Sequence, residues 1–79
     1  MNQNKKLRVD ARGAFCPGPL MELMRAAKDA EPGTEIELLT NDAGSRKDVP
    51  LWAEKMGHKY LGEQLEGNVY TLTVQIGGN

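Results

Sequence analysis

Seventy-nine residues allow one domain, and a chain this short buries only a little over ~60% of the surface it exposes when unfolded, which excludes a large internal active-site cavity. Hydrophobic residues at 39% and charged residues at 27% suit a globular domain, and no apolar run approaches the ~20 residues that span a bilayer. The net charge of −1 argues against a general nucleic-acid binder but hides an asymmetry: residues 1–28 hold six basic and two acidic groups, residues 29–79 four and nine. The basic segment contains the only cysteine, Cys16; partner steering and a merely solvated surface are both compatible with that clustering. A lone cysteine is unlike the paired sets of small secreted domains, and the polar start Met1–Lys6 lacks the apolar core of a secretory signal, so a cytoplasmic protein is expected.

The elements follow in order. Lys6–Asp10 alternates polar and apolar residues and predicts a strand with Leu7 and Val9 toward the core. After a turn at Arg12-Gly13, Leu20, Leu23, Met24 and Ala27 recur at helical spacing, predicting a helix from Pro17 that stops before Glu31-Pro32-Gly33. Thr34–Thr40 predicts a second strand with Ile36 and Leu38 buried. Ser45-Arg46-Lys47-Asp48 resembles a capping box for a second helix; Pro50 is tolerable if it stays in the first turn, Val49, Trp52, Ala53 and Met56 form its apolar stripe, and Gly57 ends it. Trp52, on that stripe, is read as packing. The remainder predicts a hairpin: His58–Leu65, a turn at Glu66-Gly67-Asn68, then Val69–Ile76 with Tyr70, Leu72, Val74 and Ile76 on one face. His58 is read as a surface or strand-edge residue.

With one-sided helices and strands, the order βαβαββ predicts an α/β fold: a two-layer sandwich with both helices on one face of a four-stranded mixed sheet. The first two strands should be parallel through a right-handed crossover, and the hairpin antiparallel. A single domain over residues 1–79 is expected, ordered from about residue 6 to residue 77.

The stretch GAFCPGPL, residues 13–20, concentrates the chemistry. A helix starting at Pro17 makes Cys16 its N-cap or immediate neighbour. Pro17 and Pro19 stiffen the first turn without breaking it, because N–H groups there have no intrahelical partner. Gly18 is expected to leave the approach to sulfur uncrowded. The helix start carries roughly half a positive charge and favours thiolate, and Arg12 could add to that field. A free cysteine is commonly a small buried hydrophobe. Here its position off the packed stripe favours a reactive, partly exposed thiol. Dithiol redox chemistry lacks a second cysteine, a structural zinc site lacks ligands, and a cysteine hydrolase has only His58 as a base. No cofactor and no metal are therefore expected. What remains is a thiol loaded and unloaded by other proteins.

Asp10-Ala11-Arg12-Gly13 followed by Cys16-Pro17-Gly18-Pro19-Leu20 resembles the Cys-Pro-x-Pro signature of the TusA/SirA-like family of small sulfur-carrier proteins. The similarity continues through Pro32-Gly33, Asn41-Asp42, Asp48-Val49-Pro50 and Gly57, from about Leu7 to Ile76. The resemblance implies a two-layer α/β sandwich and a Cys16 that carries sulfane sulfur as a persulfide. A cysteine desulfurase or rhodanese-type sulfurtransferase would load it and an acceptor protein would unload it, for tRNA thiolation or other sulfur trafficking. The residues leave open whether molybdenum-cofactor biosynthesis, sulfur oxidation or selenium metabolism is the destination. Ala43 stands where many relatives have proline, and the second cysteine that some carry is absent.

Around the thiol, Met21 and Glu22 are candidate partner contacts or plain surface, and Asp42 either borders the sulfur site or is a solvated turn residue. A protein donor and a protein acceptor, no membrane, no direct nucleic acid and a monomeric state are expected. The competing function is an RNA-binding or regulatory interaction module in which Cys16 is not chemically used, since small βαβαββ sandwiches also occur in RNA-binding proteins. A thiol peroxidase or redox sensor is weaker for want of a resolving cysteine. A thiolate favoured by a helix end predicts that iodoacetamide alkylation of Cys16, followed against pH, has its midpoint below the ~8.5 of free cysteine. A midpoint at or above that value rejects the activated thiol.

Overall fold

The computed structural model describes residues 5–15 and 17–77. In chain order the elements are β1 (Lys6–Asp10), α1 (Gly18–Lys28), β2 (Glu35–Thr40), α2 (Ser45–Met56), β3 (Lys59–Glu66) and β4 (Val69–Gln75). The strands form one sheet in the order β1-β2-β4-β3, with β1 parallel to β2 and β4 antiparallel to both of its neighbours. The expected two-layer α/β architecture is the one observed.

The period-two pattern of β2 and β4 decides which face is covered. Ile36 pairs with Val74 and Leu38 with Leu72, and all four have no exposed surface. Leu23 of α1 and Val49 and Ala53 of α2 close over them, with Ala11 and Ile76 at the rim. β2 and β4 are the inner strands and both alternate, whereas β1 is an edge strand with a neighbour on one side only. Leu7, expected in the core, is accordingly 42% exposed, while Val9 packs partly against the core. The edge strand β3 carries a bulge between Tyr60 and Gly62, with Gly62 at φ 132°, a local irregularity that discourages pairing with another chain.

Both helices depart from their expected stripes in the same sense. In α1 the sheet-facing residues are Pro19 and Leu23, and the small Ala26 and Ala27, with Ala30 just past the helix, pack partly against the core. Met24, expected in the core, is exposed, and Leu20 is half-buried toward α2. In α2 Val49 and Ala53 are buried but Met56 is exposed. Small residues let the helices approach the sheet closely, and the long ones are displaced to the outer seam between the helices.

The start of α2 also differs from the expected capping box. Gly44 is the N-cap, with no side-chain cap bond, and Ser45 is the first helical residue. The buried Ser45 hydroxyl donates instead to Asp42 Oδ2 at 3.1 Å, and the Asp42 N–H donates to the buried Thr40 hydroxyl at 3.0 Å. Pro50 lies inside the helix, beyond the first turn, so α2 forgoes the bond that an N–H there would make to the Arg46 carbonyl.

His58 is not a plain surface residue. Its ring lies 4.9 Å from that of Trp52, and its Nδ1 accepts a 2.9 Å hydrogen bond from the Gly77 N–H. That bond draws the end of β4 onto the loop after α2, so closely that a Cβ at Gly77 would collide with the Gly57 carbonyl oxygen. Gly77→Ala should therefore lower the unfolding free energy by about 1–3 kcal/mol, seen as a lower urea midpoint with an unchanged slope. An unchanged midpoint shows that the tail closes in some other way.

Candidate functional site

The parallel pairing of β1 and β2 puts their carboxyl ends side by side, and the antiparallel β4 brings the β3–β4 turn to the same edge. The loops leading into both helices meet there. Ala11 extends the β1 ladder, its N–H donating to the Leu39 carbonyl at 2.8 Å. The chain then reverses: the Ala14 N–H donates to the Ala11 carbonyl at 3.1 Å, and Gly13 takes φ 89°. This is the type II turn, whose third position requires left-handed backbone and hence glycine.

Asp10 braces the same turn. Its Oδ1 accepts from the Arg12 backbone N–H at 3.1 Å and from Nε at 2.8 Å, and its Oδ2 accepts from Nη2 at 2.7 Å. Hydrogen bonding from the Arg12 side chain, then from its backbone, holds the Asp10 carboxyl down at about 2, and Asp10 raises Arg12 in return. Both groups are exposed, so the pair adds little stability. Its consequence is electrostatic: the Arg12 charge, expected to favour the thiolate, is matched by a carboxylate in contact with it.

Cys16 lies outside the described residues, but both of its flanks are defined. Phe15 is 81% exposed, the most exposed large hydrophobic side chain among the described residues. The Gly18 N–H donates to the Phe15 carbonyl at 2.6 Å. Pro17 is the N-cap, with φ −94° and ψ 15°, and α1 begins at Gly18, one residue later than expected. The Pro17 carbonyl accepts from the Met21 N–H at 3.0 Å, and Pro19 is buried in the first turn. A Cβ on Gly18 would lie 3.2 Å from Ala14 Cβ, so the missing side chain makes room for the returning loop. The first turn of α1 holds no acidic residue, and its positive end is not neutralised from within the helix.

The remaining candidates divide. Met21 is 51% exposed and stands free for contact, while Glu22 is exposed and paired with Arg25 at 3.5 Å. Asp42 is half-buried and engaged with Ser45, which makes it a support for the start of α2. Arg46 joins α2 to β3 through Glu63, with contacts of 3.0 Å and 2.6 Å, and lies over the Tyr70 ring at 5.0 Å. Those contacts push Arg46 up and Glu63 down.

Sequence reasoning missed two residues. Phe15 carries no signal of exposure in its type, because a phenylalanine beside a helix start is ordinarily core. Asn41 enters the sequence reading only as a loop position within the family resemblance, with no role, yet its Oδ1 accepts from the Gly13 N–H at 3.2 Å and its Nδ2 donates to the Asn68 carbonyl at 2.9 Å.

Two open grooves run along the outer seam of the helices. One, of about 630 Å³, is lined by Leu20, Asp48, Leu51, Trp52, Glu54 and Lys55. The other, of about 400 Å³, lies between Met24, Lys28, Met56 and His58, and Trp52 forms a wall of both. Trp52 is thus partly core and partly groove. Among the described residues no group of three His, Cys, Asp or Glu side chains could hold a metal ion, and no helix is long and apolar enough to cross a membrane.

The Asp10–Arg12 pair gives a testable titration. A folded value near 2, against an ordinary 3.8, means that the pair stabilises the fold above the ordinary value and loses that contribution as pH falls from about 4 to about 2. Carboxyl carbon shifts followed against pH should give Asp10 a midpoint near 2, returning toward the ordinary value in Arg12→Ala. Equal midpoints in the two proteins exclude the bidentate pair in solution.

Residues 7–76 match the family model described as sulfurtransferase TusA. A candidate sulfur carrier protein of Archaeoglobus fulgidus is 42% identical over 67 residues, covering 85% of this chain and 92% of its own. The sulfur carrier protein TusA of Pseudomonas entomophila is 32% identical over 62 residues, 78% of each chain. The crystal structure of a SirA-like protein from Desulfitobacterium hafniense superposes with a TM-score of 0.73 at 30% identity, over 90% of this chain and 97% of that one. A family match over nearly the whole chain, on a fold shared with a solved relative, leads to one assignment: the chain belongs to the TusA family.

Proposed function

We propose that this protein is a sulfur carrier that holds sulfane sulfur as a persulfide on Cys16 and relays it from a donor protein to an acceptor protein. The observation that carries the reading is the placement of the only cysteine immediately before a proline-capped helix whose first turn holds no acidic residue, in a chain of the TusA family. A helix start of this kind stabilises an anion, and both a thiolate and an ionised persulfide are anions.

In the loading step the Cys16 thiolate attacks the terminal sulfur of a donor cysteine persulfide. The donor's sulfur–sulfur bond breaks, the donor cysteine leaves as thiolate, and Cys16 holds the new persulfide with its proton. Unloading repeats the exchange: an acceptor thiolate takes the terminal sulfur and Cys16 leaves as thiolate. No net oxidant or reductant is consumed. A cysteine desulfurase or a rhodanese-type sulfurtransferase is the fitting donor class, and tRNA thiolation or related sulfur trafficking the fitting destination.

The chain's part is presentation rather than turnover. The Asp10–Arg12 brace, the turn at Gly13 and the Phe15–Gly18 bond fix the backbone on both sides of the thiol. Phe15, next to it in the chain, and Met21, in the first turns of α1, are exposed and offer apolar contact to a visiting protein. Incubated with a cysteine desulfurase, pyridoxal phosphate and cysteine, the intact protein should gain one sulfur, about 32 Da, that dithiothreitol removes. Uptake that persists in Cys16→Ala refutes the assignment.

A further inference from the structure

We infer that Asn41 is a positioning residue for sulfur transfer, its amide clamping the loop that carries Cys16 to the tip of the β3–β4 hairpin so that a partner meets one preassembled face. The inference rests on the carrier reading above and concerns a residue that acts through the backbone of the thiol loop.

The geometry is specific to an amide. Gly13 presents a donor and Asn68 an acceptor, and Asn41 meets them with Oδ1 at 3.2 Å and Nδ2 at 2.9 Å. Turned over, the amide would set N–H against N–H and oxygen against oxygen, so only one orientation fits. Aspartate has no donor for Asn68, and alanine has neither group. The bridge joins segments 27 and 28 residues distant in sequence from Asn41, and it reaches the loop three residues before Cys16.

Stability does not explain the arrangement. Both bonds are exposed, so water can replace either partner and no buried polar group is orphaned by their loss. The turn at Gly13 keeps its own Ala11–Ala14 bond and its Asp10–Arg12 brace without Asn41. What the bridge adds is a fixed relation between the thiol loop, with Phe15 exposed upon it, and the hairpin end, where Leu65 is 58% exposed. A face ordered beforehand does not have to be ordered during docking, and that saving appears as affinity for the partner.

The test measures persulfide loading from a cysteine desulfurase at varied desulfurase concentration for wild type, Asn41→Ala and Asn41→Asp. Thermal unfolding and the plateau rate of iodoacetamide alkylation are followed in parallel. Asn41→Ala removes both arms of the clamp; Asn41→Asp keeps the acceptor for Gly13 and loses the donor to Asn68. In both variants the desulfurase concentration for half-maximal loading should rise about tenfold, with Tm and the alkylation plateau close to wild type. Unchanged half-maximal concentrations overturn the inference, as does a rise accompanied by equal losses in Tm and alkylation, which would mark Asn41 as a structural staple. A wild-type chain that takes up no sulfur overturns the carrier reading and this inference together. Normal loading of wild type and variants alike overturns this inference alone.

Discussion

The pairing of β4 with β2 is the constraint on which the rest of the molecule depends. Because β4 lies between β2 and β3, it is buried on its helix-facing side, and Leu72 and Val74 complete a core that Ile36 and Leu38 begin. The same insertion fixes where the hairpin ends. An antiparallel β4 beside β2 returns Asn68 to the edge at which β1 and β2 terminate, within reach of Asn41. Had β3 been the inner strand, Asn68, just before β4, would stand one strand further from Asn41.

Around that edge, rigidity is assembled from contacts that are individually weak. Exposed ion pairs and turn bonds contribute little to folding free energy, yet several of them converge on one short loop. Asp10 holds Arg12, Gly13 completes a turn that only left-handed backbone allows, and the Phe15 carbonyl is tied to Gly18. The result is a defined backbone on both sides of Cys16, with Phe15 exposed beside it. That combination suits chemistry in which the reactive group is reached by whole proteins rather than enclosed with a small substrate.

Much of this was legible in the sequence, and the reasons are local. Strand periodicity in Val69–Ile76 and helical spacing in Gly18–Lys28 identify elements because each face sees one environment. The prolines at 17 and 19 mark a helix start because their missing N–H groups cost nothing there. The failures were of neighbourhood. Leu7 has the right type and phase for the core but sits in an edge strand; Met24 and Met56 have the right spacing but face the outer seam. Ser45 resembles a cap, yet its hydroxyl turns back to Asp42 in the loop before it. The His58 bond to Gly77 and the two arms of Asn41 join residues 19 to 28 positions apart, and no spacing rule encodes such pairs.

The sequence alone determined the order of elements, the two-layer class, the single thiol and the helix start that follows it, because propensity, proline chemistry and hydrophobic period act within a few residues. Only the tertiary structure decided which strands are inner, that Arg12 is matched by Asp10, that Gly18 makes room for Ala14 and that Asn41 joins the thiol loop to the hairpin. Those outcomes depend on which distant segments become neighbours, and strand order settles that.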